Sequence, residues 1–497
     1  MATKVTLNKY SIYKYRYWIG YSLLALVLTA TMVIAATLIP GGLDQNEQAS
    51  ALKSASLNLS SPESLLVIDL PYHALQKISI TLLGLSSFSI KLPSVILAVL
   101  SIAGLVLVYR RWFSRNISVA AAATVASFTS FIYAAQYGTP DIMHIFWPVL
   151  TLLLLTLIPK KNYIGLTAAV LAGLAAGLSV MTPIGTLPLM ALAIGGLLHP
   201  HIRHVIRTRV DMRKRIVLGV SFIVGLAPTL LMLITRPDTG LALIFKDSFS
   251  GSLLESAKES SMRFLDFTGV YSNIAESIVP VFTLATLSIC IVGYYALLKK
   301  RHTTQYYILT AWLILLVPAV LFAIENITYI LLVPFALLLA AGIQFILRQW
   351  YRLFPQNPYA RVFGLLPVTV LILGITTLGI LRYAYSYTYH PVLANVVSHD
   401  LATVDKIVKN QDSKSGEIII ATSEEDRSFY QLYVDVNEVN ARVQPNPDLG
   451  TINHGTVIAL RDSPLVSNSE VDPYRIVASA SLHERSDRVY IYKKQAD

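Results

Sequence analysis

Charged residues are scarce in this sequence. Asp, Glu, Lys and Arg account for 14% of its 497 residues, and hydrophobic residues account for 54%. A soluble chain carries about 25% charged residues, so the composition excludes a water-soluble fold. Apolar runs of about 20 residues take the place of charged segments, and such runs can cross a bilayer as helices. The sequence therefore predicts a polytopic all-α membrane protein.

Cysteine and phosphate-binding motifs are also lacking. Cys290 is the single cysteine, and one thiol cannot form an intramolecular disulfide or a cysteine-based metal site. No Gly-rich loop of the G-x-x-x-x-G-K type occurs, which argues against an ATP-driven pump. We therefore expect Cys290 to be a small core residue at lipid depth.

Eleven apolar runs are predicted to span the membrane. Their length and hydropathy place them at 17–39, 92–109, 117–136, 142–158, 163–181, 184–198, 216–235, 278–298, 306–324, 329–347 and 362–384. The net charge of +11 comes from Lys and Arg residues concentrated in alternate short loops, which the positive-inside rule places in the cytoplasm. This predicts a multi-pass protein of the cell membrane with a cytoplasmic N-terminus. It also removes nucleic acid as an expected partner.

The remaining segments are predicted to lie outside the cell. Two outer loops are long, at 40–91 and 236–277, and residues 70–85 have the pattern of an amphipathic helix at the membrane interface. From about residue 390 the composition becomes polar. We therefore expect a transmembrane domain at 1–389 and a small extracytoplasmic α/β domain at 390–497. Its β-rich runs are 417–421, 429–434, 456–460, 474–478 and 489–492.

Acidic residues at the outer ends of spans are the first candidates for chemistry, because an ionisable group near hydrocarbon is costly. Asp44 and Glu47 directly follow the first span. If Asp44 begins a helix, the two share one face and are suited to accept a proton from an acceptor hydroxyl. The alternative is a capping box, in which both side chains bind backbone N–H groups.

Asp141 is the second acidic candidate. It lies in the short outer turn Thr139-Pro140-Asp141 between the third and fourth spans. Pro and Asp are also common at the start of a helix, where the dipole favours a negative charge. An active-site role and a role in opening the fourth span both remain compatible with the pattern.

Nucleotides are scarce outside the cell, so an enzyme working there must draw its activated substrate from the membrane. Lipid-phosphate-linked sugars are the common form of such a substrate. Lys and Arg are suited to bind a lipid phosphate, and among the basic residues of the second outer loop we single out Lys246 and Arg263. His73 lies on the predicted interfacial helix and is a further candidate for substrate binding, although the pattern favours an ordinary interfacial residue.

Residues 83–94, LGLSSFSIKLPS, run into a span that ends at residues 109–113, YRRWF. This segment closely resembles glycosyltransferase family 39, which contains the protein O-mannosyltransferases and lipid A aminoarabinose transferases. There a Phe-Gly-x-Ser-x-Phe-x-x-Arg-Leu-Pro-Ser run follows the first outer loop. Pro71-Tyr72 resembles the end of the family's Pro-Pro-x-Tyr element, and residues 139–141 resemble its Arg-Pro-Asp turn. Residues 329–334 resemble a stretch in a late span, with Tyr329 as the matching aromatic.

The resemblance implies a GT-C membrane fold and a glycosyltransferase that uses a polyprenyl-phosphate-linked sugar. It further implies transfer to a hydroxyl of a protein, lipid or glycan on the outer face, with inversion at the anomeric carbon. In the family an Asp-Glu pair after the first span carries catalysis, with the Asp as base. Aligned without a gap, Asn46-Glu47 falls on this pair, whereas a shift of two residues places Asp44 at the base position. Either Asp44 or Glu47 has therefore taken over, or the chain is catalytically impaired.

The resemblance also assigns supporting roles. Asp141 matches an acidic position associated with metal or substrate binding in related enzymes, so Mg²⁺ or Mn²⁺ is an implied cofactor and Asp141 its candidate ligand. Thr139 stands where the family has a basic residue, which affects the donor-phosphate contact. Tyr72, His73 and Tyr329 join the candidates for substrate binding. Two other functions compete with this reading: a transporter or flippase for a lipid-linked substrate, and a non-catalytic pseudoenzyme of the same fold.

Overall fold

The structure is a computed structural model of the chain. It describes residues 11–38, 41–58, 60–160, 163–245, 282–321, 327–354, 356, 358–389, 397–410, 417–445, 447, 455–460, 463–465, 474–477 and 488–494.

Helices dominate the first four-fifths of the chain, and an apolar helix lies at each of the eleven predicted positions. The helices of this part are α1 (Ser11–Thr37), α2 (Gln45–Ser56), α3 (Leu70–Leu83), α4 (Ser87–Trp112), α5 (Arg115–Ala126), α6 (Thr129–Gln136), α7 (Met143–Leu157), α8 (Tyr163–Ser179), α9 (Thr186–Leu198), α10 (Pro200–Thr208), α11 (Met212–Thr235), α12 (Thr239–Phe245), α13 (Leu284–Leu298), α14 (Thr304–Leu321), α15 (Ile327–Leu353) and α16 (Pro358–Tyr389).

These helices meet the requirements for crossing a membrane to different degrees. Among the described residues, six are long and apolar enough to span alone, and up to eight spans result if each bent pair counts as one. The pair α5 and α6 bends by 67°, and the pair α9 and α10 bends by 87°. At the second bend, Pro200 occupies the first turn of α10, where its missing N–H costs nothing. Helices α8, α13 and α14 are apolar but shorter.

Two helices that do not span, α2 and α3, form an outer layer over the membrane helices. The predicted amphipathic segment 70–85 corresponds to α3, which buries Tyr72, His73 and Gln76 on one face. It ends at Gly84, whose φ of +73° lies in the left-handed region that glycine adopts readily. A capping box between Ser86 and Ser89 then begins α4.

The C-terminal part folds as a five-stranded sheet with two helices, α17 (Asp400–Asn410) and α18 (Arg427–Asn437). The strands are β1 (Glu417–Ala421), β2 (Ala441–Gln444), β3 (Gly455–Ala459), β4 (Tyr474–Val477) and β5 (Arg488–Lys494). Their order is β2-β1-β3-β5-β4. β1 pairs in parallel with β2 and β3, whereas β5 is antiparallel to β3 and β4. The prediction of an α/β fold for this part is confirmed.

One strand prediction was wrong. Residues 429–434 form part of α18 and not a strand. Phe429, Tyr430 and Tyr433 are buried together, which is the spacing of one helix face and not the alternation of a strand. The aromatic and β-branched residues favoured a strand locally, but packing against the outer layer decides the outcome. The short strand β2 was not predicted.

The outer layer and the C-terminal sheet share one hydrophobic core. Leu43, Ala51 and Ile80, just before α2, in α2 and in α3, pack in the same buried cluster as Phe429 and Tyr433 of α18. Hydrogen bonds reinforce the contact, because the amide of Asn437 accepts from Leu85 N–H at 2.7 Å and donates to Leu85 C=O at 3.0 Å. The predicted domain boundary at 389/390 stays a prediction, since this core joins residues from both sides of it.

A backbone bridge fastens the same interface close to Asp44. Leu43 N–H donates to Ser398 C=O at 2.9 Å, and Ser398 N–H donates to Leu43 C=O at 2.8 Å. Leu43 is 1% exposed, so water does not compete for these bonds. The start of α2 is therefore held from the C-terminal side of the chain.

Replacing Asn437 by Ala should loosen the outer layer from the sheet. Two buried backbone groups of Leu85 lose their partner, and an unsatisfied buried group costs about 1–3 kcal/mol. Hydrogen exchange should become faster at Leu85 and in α2. Gln431→Ala is the matched control, because Gln431 is an exposed amide on the same helix that contacts only its own turn. Equal exchange in both variants would contradict the docking role.

Candidate active site

Asp44 and Glu47 form a capping box at the start of α2. The Oδ1 atom of Asp44 accepts from Glu47 N–H at 2.8 Å, and Oε2 of Glu47 accepts from Asp44 N–H at 3.0 Å. The structural alternative raised by the sequence is thus present. It uses one oxygen of each carboxylate, and the second oxygen of each side chain points elsewhere. Capping therefore fixes the geometry of the two carboxylates and leaves one oxygen of each for other contacts.

The second oxygens bind the turn that follows α6. Asp44 Oδ2 accepts a hydrogen bond from the Tyr137 hydroxyl, and Glu47 Oε1 accepts from Gly138 N–H at 2.7 Å. Asp141 lies three residues further along, in a 3₁₀ turn, where its Oδ2 accepts from Thr139 Oγ at 2.8 Å. The two acidic sites predicted from the sequence are therefore joined by one short turn.

Side chains from α3 and α4 hold this turn in place. Ser94 donates to the carbonyl of Tyr137 at 2.6 Å, and Gln76 donates to the carbonyl of Gly138 at 2.8 Å. Gly138 itself has no room for a side chain, because an added Cβ would lie 2.8 Å from Ile90 Cγ2 and 3.1 Å from Glu47 Oε1. Close approach of the backbone to Glu47 thus requires glycine at this position.

Lys91 is a charged partner of the pair that the sequence reasoning missed. Its Nζ lies 3.4 Å from Glu47 Oε1 and donates to Gln136 Oε1 at 3.1 Å, with the side chain fully buried. We predicted a loop as far as residue 91, but α4 begins at Ser87 and Lys91 is helical. The available signal was its position before Leu-Pro-Ser, where the resembling family carries Arg.

Burial dominates the electrostatics of the acidic pair. Asp44 is 4% exposed and Glu47 is 1% exposed. Loss of solvation raises the pKa of both carboxyl groups. Lys91 opposes this rise, while mutual repulsion of the two acids adds to that of Glu47. The pair therefore holds its protons more tightly than an exposed carboxylate does.

Tyr72 and His73 both lie on the buried face of α3. The Tyr72 hydroxyl lies 2.8 Å from Ser94 Oγ, and burial, together with the charges of Glu47 and Asp141, raises its pKa. His73 Nδ1 lies 2.8 Å from Ser54 Oγ, and burial lowers its pKa to about 4. His73 is therefore neutral near pH 7. Both side chains contact the network around the acids, and their role in substrate binding stays a prediction.

The structure describes one of the three other predicted binding residues. Tyr329 is buried at the start of α15 and packs in the main membrane core. Lys246 and Arg263 lie outside the described residues. Across the described part of the chain, no group of three His, Cys, Asp or Glu residues is arranged to hold a metal ion. The metal role of Asp141 therefore has no set of protein ligands to support it and stays a prediction.

Comparisons with known proteins identify the fold. Residues 71–231 match the family model described as dolichyl-phosphate-mannose-protein mannosyltransferase. ArnT from Cupriavidus metallidurans in the apo state has a similar structure, with a TM-score of 0.52 and 12% identity over 95% of this chain and 98% of that one. The same protein bound to undecaprenyl phosphate gives a TM-score of 0.50 and 13% identity over the same shares.

The Archaeoglobus fulgidus oligosaccharyltransferase in complex with Zn and sulfate is also similar. Its TM-score is 0.50 and its identity 12%, over 93% of this chain and 73% of that one. No curated protein matches the sequence. These structures confirm the predicted GT-C-like fold, and the family-model match over residues 71–231 agrees with the predicted resemblance to family 39. The matched segment includes Tyr72, Lys91 and Asp141, whereas Asp44 and Glu47 precede it.

Replacing Gly138 by Ala should displace Glu47. The added methyl group would overlap Ile90 and press on the Glu47 carboxylate, and overpacking a buried site costs about 1–3 kcal/mol. We expect a lower melting temperature in detergent. Gly219→Ala is the control, because nothing lies within 4 Å of a Cβ at that helical position. Unchanged stability of the Gly138 variant would show that the turn is not tightly packed on the pair.

Replacing Lys91 by Met should destabilise the fold in a pH-dependent way. Breaking a buried ion pair costs about 3–5 kcal/mol. Because the pKa of Glu47 is raised in the folded state, the folded state binds the proton more tightly than the unfolded state, and stability falls as pH rises from the usual carboxyl range through the raised pKa. Without Lys91 the pKa of Glu47 should rise further, so this fall should be larger in total and should extend to higher pH.

Unfolding measured over a pH series tests this prediction. Lys91→Arg should stay near the wild type, because it keeps the charge. Lys53→Met is a matched control at an exposed position at the end of α2. A flat pH profile in the Lys91→Met variant would contradict the prediction, because it would mean that the pKa of Glu47 is the same in the folded and the unfolded protein.

Proposed function

We propose that this protein transfers a sugar from a polyprenyl-phosphate donor to a hydroxyl acceptor on the outer face of the membrane. The observation that carries the proposal is the buried carboxylate pair, Asp44 and Glu47, fixed by Lys91 and by the turn leading to Asp141. Such a pair at the end of a span is costly to maintain, and general-base chemistry gives it a purpose.

The contacts support a common side for all these parts. The bridge between Leu43 and Ser398 joins the first outer loop to the C-terminal part, and Tyr137 joins that loop to the turn after α6. All three therefore lie on one face of the membrane. The distribution of Lys and Arg makes that face the outer one and the N-terminus cytoplasmic, so the donor sugar must be carried by a lipid.

Asp44 is the better candidate for the base. Its Oδ2 atom already accepts from a hydroxyl group, that of Tyr137, so an acceptor hydroxyl can take that place without breaking the cap. Both oxygens of Glu47 are already bound by backbone amides, and one of them also faces Lys91. We assign Glu47 to holding the geometry and charge of the site.

The proposed reaction is a direct displacement. The acceptor oxygen forms a bond to the anomeric carbon while the bond from that carbon to the phosphate oxygen breaks on the opposite side. The hydroxyl proton passes to Asp44, and the lipid phosphate leaves with the bonding electron pair. Attack from the opposite face inverts the anomeric carbon. The binding of undecaprenyl phosphate by ArnT supports a polyprenyl phosphate as the leaving group.

The remaining predicted residues are proposed to bind substrate. Asp141 lies one short turn from the pair and is suited to orient a sugar or acceptor hydroxyl. Lys246 and Arg263 of the second outer loop are proposed to face the lipid phosphate, because Thr139 leaves the family's basic position without charge. Tyr72, His73 and Tyr329 are proposed to shape the site. The step above uses no divalent cation, although the oligosaccharyltransferase complex contains Zn.

Substituting Asp44 by Asn and Glu47 by Gln tests the proposal. Both replacements preserve the cap, since Asn is a favourable N-cap residue and Gln serves in the capping box. Loss of a general base lowers rates by roughly 10²- to 10⁴-fold. We expect the double variant to release no polyprenyl phosphate from a polyprenyl-phosphate-linked sugar supplied with cell-envelope acceptor. Its melting temperature should be lower than that of the wild type, because Glu47→Gln removes the charge that pairs with Lys91, so activity is compared below that temperature. The Asp44→Asn variant alone should lose most of the activity.

The control is Asp435→Asn, which removes a carboxylate at the exposed surface of α18. Full transfer by the double variant would contradict the assignment of the base. Movement of the lipid-linked sugar across vesicles without any glycosyl product would instead identify a transporter.

A further inference from the structure

A groove runs along the surface of the membrane domain, far from the acidic pair. It lies between α1, α4 and α5 and has a volume of about 270 Å³. Aliphatic side chains such as Met32 and Val106 line it, together with the small side chains of Ala103 and Ala122. Much of α1 is exposed, although Met32 and Ala36 of this helix are buried in the main core.

The length of the groove matches one leaflet of a bilayer. Tyr21 and Met32 line its two ends on α1, about three turns or 16 Å apart along the helix axis. The hydrocarbon core of a bilayer is about 30 Å thick, so the groove covers about half of it. Val99 and Arg110 on α4 are separated by the same distance.

One end of the groove is basic. Arg110 near the end of α4 and Arg115 at the start of α5 both line it, and the Arg115 guanidinium lies 4.9 Å from the centre of the Tyr21 ring. The other end is apolar, which gives the groove the polarity of a lipid: charge at one end and hydrocarbon along the rest.

We propose that the groove binds an anionic glycerophospholipid of the cytoplasmic leaflet. One acyl chain lies between α1 and α4, and the phosphate lies against Arg110 and Arg115. The leaflet follows from the topology proposed above, whereas binding itself does not depend on the transfer reaction. A donor molecule does not fit this position, because its phosphate would lie at the opposite end of α1 from Asp44.

The bound lipid acts as a wedge that fixes α1. This helix ends at Thr37, shortly before Asp44, so its position sets where the cap of α2 begins. Filling the groove links α1 to α4 and α5 by apolar contacts that the protein alone leaves open. We therefore expect removal of the lipid to loosen α1 first.

Native mass spectrometry of the purified protein tests the proposal with phosphatidylglycerol and phosphatidylcholine as probes. We expect the wild type to retain one phosphatidylglycerol at least fivefold more than phosphatidylcholine. Arg110→Gln with Arg115→Gln should remove this preference. Arg111→Gln is the control, because this exposed neighbour does not line the groove. Equal retention of the two lipids by the wild type would overturn the proposal.

A second variant tests the groove without changing charge. Ala103→Trp should fill it and lower retention of phosphatidylglycerol, whereas Leu107→Trp on the same helix, outside the groove, should leave retention unchanged. Displacement of phosphatidylglycerol by polyprenyl phosphate at this site would overturn the assigned occupant. Loss of transfer in the Asp44 and Glu47 variant with unchanged lipid retention separates this site from the proposed catalytic one.

Discussion

The ion pair between Glu47 and Lys91 is the contact on which the outer part of the structure depends. A carboxylate that is 1% exposed remains charged at little cost only if a cation lies beside it and its other oxygen atoms are bound. Lys91 supplies the cation, and the amides of Asp44 and Gly138 bind the oxygens. The pair therefore joins α2, α4 and the turn after α6, which are distant in sequence. Asp44 inherits its position from this arrangement.

The sequence predicts the helices well because each is a local feature. A run of about 20 apolar residues needs no partner to be recognised, and an apolar helix lies at all eleven predicted places. Asp44, Glu47 and Asp141 were found in the same way, from their positions at the ends of spans. The structure adds that the turn at residues 137–141 contacts Asp44 and Glu47 and contains Asp141.

Long-range contacts are what the sequence does not reveal. Lys91 was placed in a loop because a lysine usually ends an apolar run, and only its packing against Glu47 explains a charged residue inside α4. The sequence does not mark Tyr137 and Gly138 as site residues. Their contribution is one hydroxyl and one backbone N–H that donate to Asp44 and Glu47, more than 90 positions earlier in the chain. Residues 429–434 were assigned as a strand on local preference. The contacts of α18 with the outer layer override that preference.

The contact between Asn437 and Leu85 joins residues 352 positions apart, and it has a consequence for biosynthesis. The ribosome must release almost the whole chain before α3 and α4 can meet α18. Until then, the start of α2 lacks the backbone bridge between Leu43 and Ser398. The membrane helices are inserted before α18 can pack on the outer layer. Assembly of the acidic site is therefore among the last events in maturation. The site is complete only after the protein has been fully synthesised.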